Sequence, residues 1–263
     1  MKPLLTVKKL SVRYKEKSQP ALNGIEFDLY KGEILGIVGE SGSGKTTLAS
    51  SILNVLPLQT EIKGKVVFEN KNLLSLDEVR LDAIRGKEIG VVFQEPAASF
   101  NPVLSIGYQF VEFMQQKLKV KTKRHCCNKM EELFNKVGLK ETKRVAKSYP
   151  HQLSGGQLQR VMIAMALSTN PKLLIADEPT SSLDVTIESQ IVNLLKSLKE
   201  ELNLTVLFIT HNLALIDVLC DRVVVIYKGR VQEISHKKEL FSNPQSGYTR
   251  ELLASFKELE VQE

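Results

Sequence analysis

Gly39-Glu40-Ser41-Gly42-Ser43-Gly44-Lys45-Thr46 stands between two segments of opposite character. Before it, Glu33-Ile34-Leu35-Gly36-Ile37-Val38 predicts a buried strand; after it, Thr47-Leu48-Ala49-Ser50-Ser51-Ile52-Leu53 predicts the first turns of a helix. The octapeptide fits G-x-x-x-x-G-K-[ST], and strand–loop–helix is the context in which that spacing cradles phosphate. Glycines at 39, 42 and 44 allow backbone N–H groups to turn inward onto phosphate oxygens without Cβ clashes. Lys45 supplies a point charge for the β- and γ-phosphates, and the Thr46 hydroxyl is a ligand for Mg²⁺. Ser41 and Thr47 complete the set expected to line the phosphates. A Gly-rich surface turn is the bland alternative, and the flanking pattern counts against it. The chain is therefore expected to bind a nucleoside triphosphate.

The bulk composition agrees and removes other classes. With 263 residues, 43% of them hydrophobic, the chain is long enough for one large domain with a real core. The longest apolar runs, such as Arg222 to Tyr227, are far too short to cross a bilayer. At the N-terminus Lys8 and Lys9 interrupt any signal-peptide h-region. Cys126, Cys127 and Cys220 give neither a disulfide framework nor metal-ligand spacing, so a reduced, cytoplasmic protein is expected. The net charge of +6 permits nucleic acid or an anionic membrane surface as neighbour without choosing between them.

Strands and helices alternate along the chain. Leu4 to Tyr14 and Ile25 to Leu29 alternate apolar and polar residues, as half-buried antiparallel strands do, and Gly64 to Asn70 makes another. Leu76 to Arg85 has helical spacing, and Ile89 to Phe93 reads as a buried strand. From Leu104 to Tyr149 the pattern is helical and charged without a convincing strand, which predicts a helical insertion. Pro171 to Ala176 and Leu204 to Ile209 are apolar strands of the parallel-sheet type, separated by an amphipathic helix over Thr186 to Leu202. Asp221 to Tyr227 and Gly229 to Ile234 close the series.

Two further segments carry chemistry. Leu174-Ile175-Ala176-Asp177-Glu178 is an apolar strand ending in two carboxylates, at the end where open α/β sheets place ligands. Asp177 is positioned for Mg²⁺ and Glu178 for polarising a water that attacks the γ-phosphate. A strand-end Asp-Glu capping the next helix is the alternative. In Leu153-Ser154-Gly155-Gly156-Gln157, Ser154 reads as an N-cap and two glycines expose N–H groups to an anion. This pentapeptide alone also fits an ordinary capped helix start.

Taken together, the loop at 39–46, Gln94 after Val91-Val92-Phe93, Leu153–Gln157, Asp177-Glu178 and Thr210-His211 resemble, in order, the ATP-binding cassette (ABC) ATPases. The resemblance spans about Leu4 to Leu253. It implies an α/β fold, a P-loop NTPase of the ABC ATPase type with a RecA-like parallel sheet, an N-terminal antiparallel β subdomain and an α-helical insertion subdomain. The implied organisation is one ABC ATPase domain over 1–253, with core segments 1–94 and 158–240, a helical subdomain over 95–157 carrying the signature, and a helical tail over 241–263. By this resemblance Tyr14 stacks on adenine, although an edge-strand tyrosine without a ligand also fits. Gln94 senses Mg²⁺ and γ-phosphate. Ser154, Gly155, Gly156 and Gln157 close over ATP held by the other protomer, His211 is the switch histidine, and Ser182, Leu183 and Asp184 form the D-loop. The cofactors implied are ATP and Mg²⁺, with Thr46, Gln94 and Asp177 on the metal and Glu178, His211 and Gln94 as the catalytic set.

Phe93-Gln94-Glu95-Pro96-Ala97-Ala98-Ser99-Phe100-Asn101-Pro102, Pro150 to Leu167 and Tyr248-Thr249-Arg250-Glu251-Leu252-Leu253 are similar to the dipeptide, oligopeptide and nickel importer branch. Ser181-Ser182 and Gln245-Ser246-Gly247 depart from that branch's usual residues. The sequence stops at Glu263 without the C-terminal extension of longer members, which tilts the expectation toward shorter ones. The resemblance implies two membrane-spanning permeases as partners, contacted through Ala97 to Leu104 and the helical insertion. It further implies a second, non-identical ATPase, an extracellular binding protein acting indirectly, and a peripheral place on the cytoplasmic face of the membrane. A soluble ABC ATPase of DNA repair or translation is the rival; it calls for two cassettes in one chain or a long coiled coil, and neither is present, so no nucleic acid is expected. A subunit that binds ATP without hydrolysing it is disfavoured because Glu178, His211 and the signature are intact. The basic run Lys117 to Arg124 reads as a solvated face, with attraction to an anionic leaflet as the sharper alternative.

Overall fold

The computed structural model describes residues 2–119, 122–181 and 183–260, with side chains described through 256. The first part of the chain forms β1 (Pro3–Arg13), β2 (Leu22–Tyr30), β3 (Ile34–Val38), α1 (Lys45–Leu53), β4 (Glu61–Phe68), β5 (Lys71–Asn72), α2 (Glu78–Ile84) and β6 (Ile89–Val92). A helical stretch follows as α3 (Pro96–Ser99), α4 (Ile106–Leu118), α5 (Lys123–Lys136), α6 (Thr142–Lys147) and α7 (Gly155–Leu167). The chain continues with β7 (Leu173–Asp177), α8 (Val185–Leu202), β8 (Thr205–Thr210), α9 (Leu213–Leu219), β9 (Arg222–Tyr227), β10 (Arg230–His236), α10 (Lys237–Ser242) and α11 (Gly247–Glu260). These elements form two compact units, Met1–Leu81 with Thr205–Glu263, and Asp82–Leu204.

In the first unit β1 pairs antiparallel with β2 and β4, and β5 extends that sheet beyond β4. The expected alternation in β1 is broken at Leu4 and Leu5, both buried, and again at Lys8 and Lys9, which are both exposed between buried Val7 and Leu10, with Lys9 at a φ of +46°. This bulge shifts the register from Val7↔Phe27 to Leu10↔Ile25 and returns Leu10 to the buried face. A second sheet in the same unit is parallel where β3 pairs with β8 and β9, and β10 returns antiparallel on β9. All five residues of β3 and all six of β8 are buried, as strands covered on both faces require.

In the second unit β6 and β7 pair in parallel, from Ile89↔Leu173 to Val92↔Ala176. α7 packs on β6, and α4, α5 and α6 pack together through Phe110, Met114, Cys126, Phe134 and Val145, with Phe110 and Phe134 meeting edge to face at 5.4 Å. Lys117, from the basic run, bonds Asp82 at 2.6 Å; Val120 and Lys121 of that run lie outside the described residues. The sequence pattern anticipates the long strands and helices with ends shifted by a few residues. It does not reveal α9, whose seven residues are too few to show a helical period between two strands. Among the described residues no helix is long and apolar enough to cross a membrane.

Candidate active site

Strand register places the site. In the first unit Val38, the last residue of β3, pairs with Thr210, the last of β8. The loop at 39–46 and His211 therefore leave the same carboxyl edge of a parallel pair, where ligands of open α/β sheets bind. In the second unit Val92↔Ala176 does the same for Gln94 and for Asp177-Glu178.

The phosphate loop is held by its own backbone. Lys45 is 4% exposed, and its Nζ donates to the carbonyls of Gly39 at 2.8 Å and Glu40 at 3.0 Å, which accounts for a buried ammonium. A Cβ on Gly39 would sit 2.1 Å from the Ile226 carbonyl oxygen, so no other residue fits there. Gly44 takes a φ of +109° with the Ala21 carbonyl 2.7 Å from its Cβ position, so both conformation and space demand glycine. Gly44 is also the N-cap of α1, with no side-chain cap and no acidic residue in the first turn. The positive end of that helix is thereby left to an external anion. Thr46 is exposed, Ser41 and Gly42 are exposed in the loop, and Thr47 meets Tyr14 with their hydroxyl oxygens 3.2 Å apart. Tyr14 thus lies on the helix that follows the loop at 39–46. His211 is exposed at the end of β8, followed by Asn212, whose side chain caps α9 by accepting from the Ala214 N–H at 3.0 Å.

In the second unit the signature residues begin α7 in a capping box. The Ser154 Oγ accepts from the Gln157 N–H at 3.3 Å, and the Gln157 Oε1 accepts from the Ser154 N–H at 3.1 Å. Gly156 presses against α8 and Gly155 against the turn before it: added Cβ atoms would lie 2.7 Å from Ile187 Cγ2 and 3.3 Å from Leu183 Cδ2 respectively. Asp184 is the N-cap of α8, its Oδ1 accepting from the Ile187 N–H at 3.0 Å, so its carboxylate already serves the local fold. Ser182 lies outside the described residues. Asp177 ends β7 and is 7% exposed. Glu178 follows in the left-handed region at φ +45°, its carbonyl accepting from the Ser181 N–H and hydroxyl. A glutamate held there by its turn is a strained position of the kind that gathers at functional sites. Gln94 is exposed in the loop after β6, and one residue earlier the Phe93 N–H donates to the Met162 Sδ of α7 at 3.1 Å.

Sequence reading passed over several contacts that hold the site. Gln159 and Arg160 follow the signature, and Arg160 Nη1 donates to the Val137 carbonyl at 2.6 Å while Nη2 donates to Gln190 Oε1 of α8 at 2.9 Å. Thr180 donates to Glu188 at 2.8 Å, tying the turn after Asp177-Glu178 to the same helix. No motif announces these pairs, because their partners are set by helix packing.

Comparison with known proteins agrees with the fold. The family model described as ABC transporter matches residues 22–181, and a shorter match over 146–217 is to a model described as an AAA domain, putative AbiEii toxin, Type IV TA system. The peptidoglycan transport ATP-binding protein YejF of Agrobacterium fabrum is 45% identical over 96% of this chain and 47% of its own length. The oligopeptide transport ATP-binding protein OppD of Bacillus subtilis is 42% identical over 98% of this chain and 73% of its own. This chain therefore spans about half of the first and about three quarters of the second. The dimeric structure of the ATP-binding cassette MJ0796 in a post-hydrolysis state bound to ADP and Pi superposes with a TM-score of 0.78 at 31% identity, covering 89% of this chain and 98% of that one. This chain belongs to the ABC transporter family and is one of its ATP-hydrolysing α/β P-loop members.

Proposed function

We propose that this chain is the ATPase subunit of an import complex that takes up di- or oligopeptides, with nickel or a metallophore as the cargo its branch also serves. The observation that carries the reading is near full-chain similarity to relatives named for peptidoglycan and oligopeptide transport. The exposed Val103, within the Ala97 to Leu104 stretch, and Tyr108 just after it suit a surface that receives a permease helix.

The residues divide the chemistry. The loop glycines, Ser41, Lys45 and Thr47 receive the phosphates of ATP, and Tyr14 receives the base. The open N-terminus of α1 fits a polyphosphate. Thr46, Gln94 and Asp177 are all oxygen donors, the set a hard divalent cation takes, and these three would hold Mg²⁺. When bound, the ion supplies charge neutralisation on the β- and γ-phosphates. Glu178 takes the proton of the attacking water, and His211 contacts the γ-phosphate. Ser154 Oγ accepts from the Gln157 N–H, which leaves its own proton to donate to an anion. That proton, the Gly155 and Gly156 amides, Gln157 and Asp184 serve the nucleotide of a second protomer set head to tail. ATP then closes the dimer and hydrolysis releases it. The second protomer is a non-identical ATPase, the pair rests peripherally on the cytoplasmic face of two permeases, and the binding protein outside engages it only through them.

The test is an affinity pull-down of the Glu178→Gln chain from ATP-treated, detergent-solubilised membranes. Two multi-span permeases and a sister ATPase are expected. Recovery of ribosomes or DNA-repair proteins without any membrane protein would overturn the transport reading.

A further inference from the structure

Tyr248, in the segment Tyr248-Thr249-Arg250-Glu251-Leu252-Leu253 at the start of α11, has no part in the chemistry above, yet it reaches the phosphate loop. Its ring lies on that of Tyr227, the last residue of β9, with centroids 4.1 Å apart and planes inclined by 24°. The end of β9 is itself pressed on the loop. Ile226 O occupies the space of a Gly39 Cβ, and the Gly229 N–H donates to the Ser43 carbonyl at 3.0 Å. The Tyr248 phenol oxygen is sealed from solvent and faces Glu40, with no hydrogen bond of ordinary geometry. Burial, reinforced by the Glu40 charge, pushes it up to about 12. The Glu40 carbonyl in turn accepts from Lys45 Nζ. The root of α11 is fixed as well: Glu233 of β10, 8% exposed, accepts from the N–H groups of Gln245 at 3.1 Å and Ser246 at 2.9 Å. Thr249 is fully buried.

A buried hydroxyl without a well-formed hydrogen bond adds little, so the placement of this side chain follows mainly from the stacking of its ring on Tyr227. We infer that Tyr248 is a positioning residue for nucleotide binding: stacked on Tyr227 against the loop's first residues, it holds Gly39 and Glu40, and through their carbonyls Lys45, in the geometry that receives the phosphates. The inference rests on nucleotide occupying the loop at 39–46 and is independent of the cargo. Lys45 serves ATP and ADP alike through the β-phosphate, so loosening it weakens both nucleotides to the same degree. Glu178 and His211 are untouched, and turnover at saturating ATP therefore stands. Weakened uniform binding of this kind raises KM without lowering kcat.

The test titrates the full chain with mant-ATP and mant-ADP and follows steady-state ATPase activity and thermal melting beside them. Tyr248→Leu removes the stack, Tyr227→Leu removes it from the other side without altering α11, and Tyr248→Phe keeps the ring. Both leucine variants are expected to raise Kd for both nucleotides, and KM for ATP, by about fivefold, with kcat within about twofold. Tyr248→Phe should bind within about twofold of the unaltered chain, because the ring stack is kept and the lost hydroxyl makes no hydrogen bond of ordinary geometry. Leucine variants that melt earlier but bind both nucleotides normally would show a merely structural role and overturn the inference. So would a Tyr248→Phe chain as impaired as Tyr248→Leu. If Tyr248→Leu does not fold, Tyr227→Leu reads the same contact. Absence of saturable binding by the unaltered chain would instead count against nucleotide at this loop.

Discussion

The phenol oxygen of Tyr14, just past β1, lies 3.2 Å from the hydroxyl oxygen of Thr47 in α1, joining the antiparallel sheet to the helix that opens at the phosphate loop. The two residues are 33 positions apart, and the contact places an aromatic ring beside the helix that follows the loop at 39–46. Tyr14→Ala should raise KM for ATP by about tenfold with kcat little changed, since stacking on a base contributes roughly 1–3 kcal/mol. Tyr14→Phe, which keeps the ring and loses the bond to Thr47, should cost about threefold at most. A steady-state titration of ATP separates the two; equal effects would assign the role to the hydroxyl.

Glu178→Gln retains the shape of a strained turn and removes the base. Turnover is expected to fall by ~10²–10⁴-fold, with ATP affinity within about threefold of the unaltered chain. Gel filtration with ATP should show a dimer that persists, and a monomer at saturating ATP would count against hydrolysis as the releasing step.

At the signature, Gly156→Ala drives a methyl into Ile187 Cγ2 at 2.7 Å, the branched root of the side chain, which cannot swing aside. Overpacking of this kind costs ~1–3 kcal/mol and should push α7 away from α8. Because Ile187 is the obstructing group, Ile187→Ala should be less costly in the Gly156→Ala background than alone. A double-mutant cycle on urea unfolding measures the coupling, and strict additivity would exclude the contact as the cause.

The three thiols should separate by burial. Burial pushes the Cys126 and Cys220 thiols up, with Cys127 adding to the first and Asp221 to the second. A raised thiol pKa leaves less thiolate at a given pH, and thiolate is the reactive form. Between pH 7 and 9 iodoacetamide should therefore label the half-buried Cys127 first, while Cys126 and Cys220 react only on unfolding. Peptide mass spectrometry at each pH checks this; early labelling of Cys220 would contradict its burial against β3.

Where partners are close in sequence, the reading was direct. The spacing of Gly39, Gly44, Lys45 and Thr46 is a local code, because one loop and one helix turn supply all its amides. Ser154 as an N-cap is legible for the same reason: its partner Gln157 is three residues on. Apolar runs such as Leu204 to Ile209 announce buried strands, although their pairing partners lie elsewhere in the chain. The bulge at Lys8-Lys9 was hidden, since two consecutive lysines look like ordinary solvent positions until Leu10 must return to the buried face.

By itself, then, the amino-acid sequence determined the strand–loop–helix around residues 39–46, the order of its companion motifs and the alternation of strands and helices, because each depends on residues within a turn or a strand of one another. Only the tertiary structure decided that β3 and β8 end in register, so that the loop and His211 share an edge. It alone set Ile187 against Gly156 and seated Tyr248 on Tyr227 beside Glu40. Those contacts arise from packing between elements distant along the chain, and packing selects partners by shape and space, which no local pattern of residues records.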